Sequence, residues 1–283
     1  MRPLHPALVT LVAMLAFAGN SLLCRVALRD TAIDPASFTS LRIVSGALVL
    51  WWIVRLRAGA PPPAAMAGNW ASACALFVYA AAFSFAYVSL ATGTGALLLF
   101  GAVQATMIGV GLWRGERLGA AQTVGLVLAC AGLVGLLLPG LSSPPLAGAM
   151  LMLSSGVAWG IYSLRGKGAG DPTQVTAGNF MRATVPAIVL SLATLPLARL
   201  DLAGSAYAIA SGALTSGIGY AIWYAALRHL RATTASTVQL SVPVIAALGG
   251  SLLLAEPLTA RLLWASAAVL GGIALVILRK PAR

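Results

Sequence analysis

The sequence predicts an all-α integral membrane protein of ten transmembrane helices, arranged as two inverted five-helix repeats, and three observations carry that prediction. Of 283 residues, 60% are hydrophobic and only 8% charged, with a mean hydropathy of +0.94, which leaves too little polar sequence to coat a soluble domain of this size. The apolar residues fall into ten runs close to the roughly 20 residues that a helix needs to cross a ~30 Å hydrocarbon core. Lys and Arg concentrate in every second gap between those runs.

In chain order, the first run covers residues 6 to 27 and holds Asn20 beside Gly19. Arg2 ahead of it and Ala16-Phe17-Ala18 within it resemble a secretory leader, but cleavage there would leave nine spans and spoil the duplication described below. The second run, 35 to 56, contains Arg42; the third, 68 to 90, carries Tyr79, Phe83 and Tyr87 at four-residue spacing on one helical stripe. Gln104 lies near the middle of the fourth, 95 to 113, and the fifth spans 119 to 138. A second aromatic stripe, Trp159 and Tyr162 with Ser155, marks the sixth run, 146 to 165. The seventh, 174 to 196, holds Asn179, Arg182 and Pro186; the eighth, 204 to 227, holds Tyr220, Trp223 and Tyr224. Gln239 and Pro243 fall in the ninth, 233 to 254, and the tenth covers 259 to 278.

Charge then orients the spans. Arg2, Arg55, Arg57, Arg114, Arg117, Arg165, Lys167, Arg228, Arg231, Arg279, Lys280 and Arg283 share one side, whereas Arg25, Arg29, Arg199 and Arg261 share the other. The positive-inside rule places both termini in the cytoplasm of a bacterial inner membrane. The net charge of +12 reflects these retained cationic loops, and no basic domain outside the bilayer offers a nucleic-acid surface.

A shift of 140 positions aligns Arg25 with Arg165, Arg42 with Arg182, Gly109 with Gly249, Glu116 with Glu256, Leu118 with Leu258 and Gly132 with Gly272. Eight Arg in each half predict only about half a chance match at a given shift, and both Glu residues of the chain align. Residues 1–143 thus form one five-helix repeat and 144–283 the second. Five is odd, so the second repeat enters the membrane inverted. Repeats of opposite topology that exchange conformations convert an inward-facing cavity into an outward-facing one around a midplane site.

Short motifs at the ends of each half now acquire meaning. Gly115-Glu116-Arg117-Leu118 precedes Gly125 and Gly132, while Ala255-Glu256-Pro257-Leu258 precedes Gly271-Gly272; Tyr224-Ala225-Ala226-Leu227 and Ser241-Val242-Pro243 add to the pattern. With ten spans in two halves, the chain resembles the EamA-type transporters of the drug/metabolite transporter superfamily over nearly its whole length. Val103-Gln104 departs from the pattern where a proline is expected, so the two central helices are not equivalent. The resemblance implies a secondary transporter exporting small organic metabolites, with length and aromatic content most like the bacterial amino-acid exporters, including the aromatic amino acid exporter group. Exporters of drugs or other metabolites share the fold.

Polar groups are costly in hydrocarbon unless they face a cavity or a partner. Asn20, Gln104, Asn179 and Gln239 are therefore the first candidates for substrate contact, since each amide both donates and accepts. Tyr79, Phe83, Trp159, Tyr162 and Tyr220 are the candidate aromatic walls, while Trp223 and Tyr224 also suit an interfacial anchor. Pro186 and Pro243 lack the N–H that would bond the carbonyls of Arg182 and Gln239, and are candidate hinges. Arg42 and Arg182 sit away from midspan, which favours pairing with helix-terminal carbonyls over binding a substrate carboxylate. Glu116 and Glu256 are expected at helix ends, fixing turns near the start of the next helix. Gly156, Gly160, Gly212, Ser216 and the pairs Gly249-Gly250 and Gly271-Gly272 are expected to let helices approach closely.

None of the six acidic residues lies mid-membrane and His5 and His229 sit at span ends, so a buried proton relay is not expected and exchange down a substrate gradient is. Cys24, Cys74 and Cys130 are isolated packing residues. No nucleotide loop, metal-ligand spacing or catalytic constellation is present, so neither a cofactor nor an enzyme is expected. The expected partners are a small-molecule substrate and the lipid bilayer; a monomer is compatible with the sequence.

Overall fold

A computed structural model describes residues 6–57, 67–140, 143–166, 170–227, 230 and 237–278. Lys167, Arg228, Arg231 and the terminal charges used in the orientation argument lie outside these residues. The elements are α1 (Pro6–Asp30), α2 (Pro35–Leu56), α3 (Trp70–Tyr87), α4 (Thr92–Trp113), α5 (Ala120–Leu137), α6 (Leu146–Gly166) and α7 (Pro172–Ala193). A 3₁₀ turn, Leu195–Leu197, leads into three consecutive helical pieces, Leu202–Ala210, the π-helical Ser211–Ile218 and Gly219–Leu227, which together form α8. Then come α9 (Ser241–Leu254), with a short helical lead-in at 237–239, and α10 (Ala260–Leu278).

Among the described residues, nine helices are long and apolar enough to cross a membrane. The eighth expected span is not one of the nine, because the π segment divides it. Large apolar side chains such as Leu48, Val127, Leu192, Leu252 and Trp264 point outward over most of the bundle, a surface suited to lipid and costly in water. This is a multi-pass membrane fold.

Local chemistry sets the helix starts. Asp34 and Asp171 cap α2 and α7, each accepting two backbone N–H groups, and each is followed by a proline at the first helical position. Asn69 caps α3 through Ser72 N, and Asp201 caps α8 through Gly204 N. Gly115 and Ala255, which the 140-residue shift superimposes, both turn the chain with positive φ, 92° and 52°, just before Glu116 and Glu256.

Contacts between helix ends sort into two sets. At one end Arg25, Tyr87, Thr92 and Glu256 meet, Asp34 exchanges backbone bonds with Arg199, and Arg261 donates to Leu138 O. At the other, Asn69, Arg165 and Asn179 meet, Arg182 reaches Ala67 O, and Gln122 reaches Val276 O. These are called below the Glu256 end and the Glu116 end, after the acid each carries. Successive helices alternate in direction between them.

Small residues hold the bundle close, as expected. A Cβ on Gly125 would stand 2.5 Å from Gly272 O, which clamps α5 on α10, and one on Gly156 would stand 2.5 Å from Leu99 O, which clamps α6 on α4. Gly212 packs directly on the Arg42 carbonyl.

Candidate functional site

The three aromatic stripes come from different helices and converge on Trp159. Its ring lies 4.7 Å from Tyr79, 5.2 Å from Tyr220 and 5.3 Å from Tyr162, the last nearly stacked. Tyr79 continues to Phe83 at 5.6 Å, and Tyr220 to Phe17 at 5.8 Å. Such ring pairs add ~0.5–1.5 kcal/mol each to area burial, so the cluster is a rigid wall. Trp223, 7% exposed, packs edge-on against Phe17; it belongs to the interior, not to the interfacial belt it also suits.

A cavity opens beside this wall, lined by Phe17, Asn20 and Ser21 of α1, Tyr79 and Phe83 of α3, Leu99 and Phe100 of α4, Trp159 of α6, Thr215 and Tyr220 of α8, and Gln239 ahead of α9. Its volume is only about 20 Å³, room for roughly one water molecule to move. Side chains or helices must shift to admit an organic molecule.

Asn20 is the polar centre of the cavity. Its Oδ1 accepts from Ser211 Oγ (2.7 Å) and Thr215 Oγ1 (3.2 Å), and its Nδ2 donates to the Tyr79 hydroxyl at 3.4 Å. Ser211 and Thr215 are on the π segment, whose wider turn presents both hydroxyls to one acceptor.

Of the nine side chains singled out from sequence as substrate contacts, six line the cavity: Asn20, Tyr79, Phe83, Trp159, Tyr220 and Gln239. Tyr162 lies behind Trp159. Asn179 accepts from Asn69 N at 3.0 Å, and so holds the chain just ahead of α3 at the Glu116 end. Gln104 is buried in α4 beyond the cavity lining. Phe17, Ser21, Phe100 and Thr215 line the cavity without having been singled out. Small hydroxyl and aromatic residues are common in such spans, so only their position in the bundle distinguishes them.

The candidate hinges differ. α7 stays helical through Pro186, whereas the helix tightens by one 3₁₀-type bond at Leu240, three residues before Pro243, where Leu240 N bonds Thr237 O and Ser241 Oγ bonds Val238 O. Gln239, whose carbonyl Pro243 cannot bond, thus stands at a local irregularity of the helix beside the cavity.

The two intramembrane arginines also part company. Arg182 donates to the carbonyls of Ala67 (2.9 Å) and Gly178 (3.0 Å), the carbonyl pairing expected of both. Arg42 does not: 2% exposed, it donates through Nη2 to the Tyr79 hydroxyl (2.9 Å) and through Nε to Ser216 Oγ (3.4 Å), with its guanidinium over the Tyr79 and Phe83 rings. Residues 67–69, just ahead of α3, fold against α7 and bring Ala67 to Arg182. Their counterpart between α7 and α8 pairs with Asp34 at the start of α2 instead.

Above the cavity, at the Glu256 end, the bundle is tied shut. Arg25 donates to Glu256 Oε1 (3.0 Å) and to the carbonyls of Tyr87 and Val88, and Glu256 Oε2 accepts Thr92 N at 2.7 Å. Glu256 therefore caps α4 across the bundle, rather than the helix that follows it in sequence. Arg29 adds a bond to Leu254 O.

Comparisons with known proteins agree with this architecture. A profile described as the EamA-like transporter family matches residues 146–278. An uncharacterized protein of Pseudomonas aeruginosa is 62% identical over 95% of this chain and 93% of its own length. An uncharacterized transporter of Archaeoglobus fulgidus is 31% identical over 58% of this chain and 60% of its own. A solved crystal structure shares the fold with a TM-score of 0.68, covering 97% of this chain and 98% of its own at 19% identity. An all-helical membrane bundle and the profile match lead to one assignment: the second half of the chain, residues 146–278, is an EamA-like transporter family domain.

Proposed function

We propose that this chain is a secondary carrier that exports small organic metabolites, amino acids foremost, across the bacterial inner membrane by alternating access. One observation carries the reading: the aromatic and amide side chains of a single cavity come from both halves of the chain, α1, α3 and α4 on one side and α6, α8 and the lead-in to α9 on the other. A site built between two repeats is what exchange of their conformations requires. Helix boundaries support the repeat, since α1 and α6 begin at 6 and 146, and α5 and α10 at 120 and 260. Residues 1–143 and 144–283 are then the two inverted repeats of a ten-helix domain with both termini cytoplasmic, and Pro243 is the favoured hinge. The closed Glu256 end becomes the outer end.

Counterflow of radiolabelled amino acids into proteoliposomes tests the reading, with aromatic, aliphatic and charged species compared. Saturable exchange is expected, lowered about tenfold or more by Trp159→Ala and less by Gln104→Ala. Uptake that neither saturates nor shows counterflow would indicate a channel and overturn the carrier mechanism. Exchange of other metabolites but no amino acid would keep the mechanism and remove the substrate.

A further inference from the structure

Among the described residues, Arg42 is a cation without a counter-ion. Its Nη1 is buried and has no hydrogen-bond partner, and none of the ion pairs among the described residues, Arg25 with Glu256, Arg29 with Asp30 and Arg57 with Asp171, includes it. The groups it does touch, a phenol, a serine hydroxyl and two aromatic rings with centroids 5.1 and 4.9 Å from Cζ, are all neutral. A guanidinium removed from water costs several kcal/mol unless an anion compensates it. Cation–π contacts return only part of that, and a lone charge at this depth in a bilayer protein is a site by default.

Its place in the fold says where the anion comes from. Both rings under the guanidinium, Tyr79 and Phe83, are walls of the central cavity, and the hydroxyl it bonds is the one that Asn20 also bonds. We propose that Arg42 is the anion-binding residue of this cavity, and that the solutes it accepts carry a carboxylate, which docks on Nη1 and the remaining N–H of Nη2. Planar, two-pronged geometry suits a guanidinium and a carboxylate. Arg42 lies over the Tyr79 and Phe83 rings rather than in the lining, which holds no cation of its own, and its single positive charge matches a monoanionic group rather than a phosphate ester. Zwitterions and organic acids are therefore admitted, and organic cations, which include many drugs, are rejected by the fixed charge. The inference rests on the carrier reading and deepens it by naming the substrate class.

Matched probes test it. Thermal stabilisation of the full-length protein in detergent, and counterflow in proteoliposomes, are measured with phenylalanine, 3-phenylpropionate, phenethylamine and sodium chloride. Phenylalanine and phenylpropionate are expected to stabilise the protein, phenethylamine and chloride not. Arg42→Gln should weaken carboxylate binding about tenfold or more, Arg42→Lys should restore part of it, and Arg182→Gln should leave the preference for carboxylate over amine unchanged. If Arg42→Gln fails to fold, Tyr79→Phe, which keeps the ring and releases Nη2, is expected to change carboxylate affinity without admitting the amine. Phenethylamine equalling phenylpropionate, chloride reproducing the effect, no stabilisation by either carboxylate, or an unchanged preference in Arg42→Gln would each overturn the proposal. Carboxylate-selective stabilisation that depends on Arg42, without counterflow of any solute, would sustain this site while defeating the carrier reading.

Discussion

Glu256 and Glu116 follow equivalent turns, each preceded by a residue of positive φ, yet their surroundings are opposite. Glu256 is 9% exposed, grips Arg25 and caps α4. Glu116 is exposed and enters none of the ion pairs among the described residues, while Arg165, the partner that the 140-residue shift assigns to it, turns instead to Ser72 and Asn69 of α3. One turn is latched and its counterpart is not. On the proposed alternating-access reading, two halves with the same sequence pattern in different contacts correspond to one of two states, and the difference names the bonds expected to trade places.

The largest effect is expected from Glu256→Ala, which leaves Arg25 and the first N–H of α4 without their acceptor. Breaking a part-buried pair of this kind costs about 3 kcal/mol, readable as a lower unfolding temperature, whereas Glu116→Ala should stay within about 0.5 kcal/mol. Equal losses at the two sites would erase the asymmetry. Next in size is the exchange itself. With Cys24, Cys74 and Cys130 replaced, the pairs Arg25→Cys with Glu256→Cys and Arg165→Cys with Glu116→Cys should cross-link in different states, the first without substrate and the second during turnover; simultaneous cross-linking of both in one molecule would refute the trade.

A smaller effect comes from pH at the Glu256 end. Burial pushes the Asp34 carboxyl up, but hydrogen bonds from Ser37, Arg199 and Ala36 outweigh it and hold the group below its ordinary value of 3.8. A depressed carboxyl stabilises the fold fully above its unfolded pKa and loses that contribution as pH falls through the folded one. The stability advantage of wild type over Asp34→Asn should thus be constant near neutrality and vanish on acidification below the aspartate range. An advantage that persists in acid would mean that Asp34 acts by packing alone. Smallest is Ala255→Gly, which relieves a left-handed backbone and should raise stability by about 1 kcal/mol, with Gly115→Ala lowering it by a similar amount; a null result at Ala255 would show that the latch, not the turn, sets that geometry.

Much of this was legible in the residues. Hydropathy runs place most helix boundaries within a few positions because a bilayer admits little else, and polar or aromatic side chains in apolar surroundings mark six members of the cavity lining. What escapes sequence is which connection reaches which side chain. Arg42 and Arg182 read alike, both away from midspan, and they differ because Ala67 folds back to one while, among the described residues, the other bonds side-chain hydroxyls instead. Asn179 and Gln104 have the right chemistry at the wrong place: a helix period shows which residues share a face, and only the packing of the helices decides what that face meets.

The π segment of α8 has a mechanical reading. Its hydrogen bonds span one residue more than those of an α-helix, so Ser211–Ile218 holds slack that its neighbours lack. Taking up that slack would rotate Gly219–Leu227 about the helix axis against Leu202–Ala210, carrying Tyr220 around with it. The helix needs no proline to turn. With that slack taken up it would act as a swivel set into the wall of the cavity, the two hydroxyls that bond Asn20, those of Ser211 and Thr215, serving as its catch.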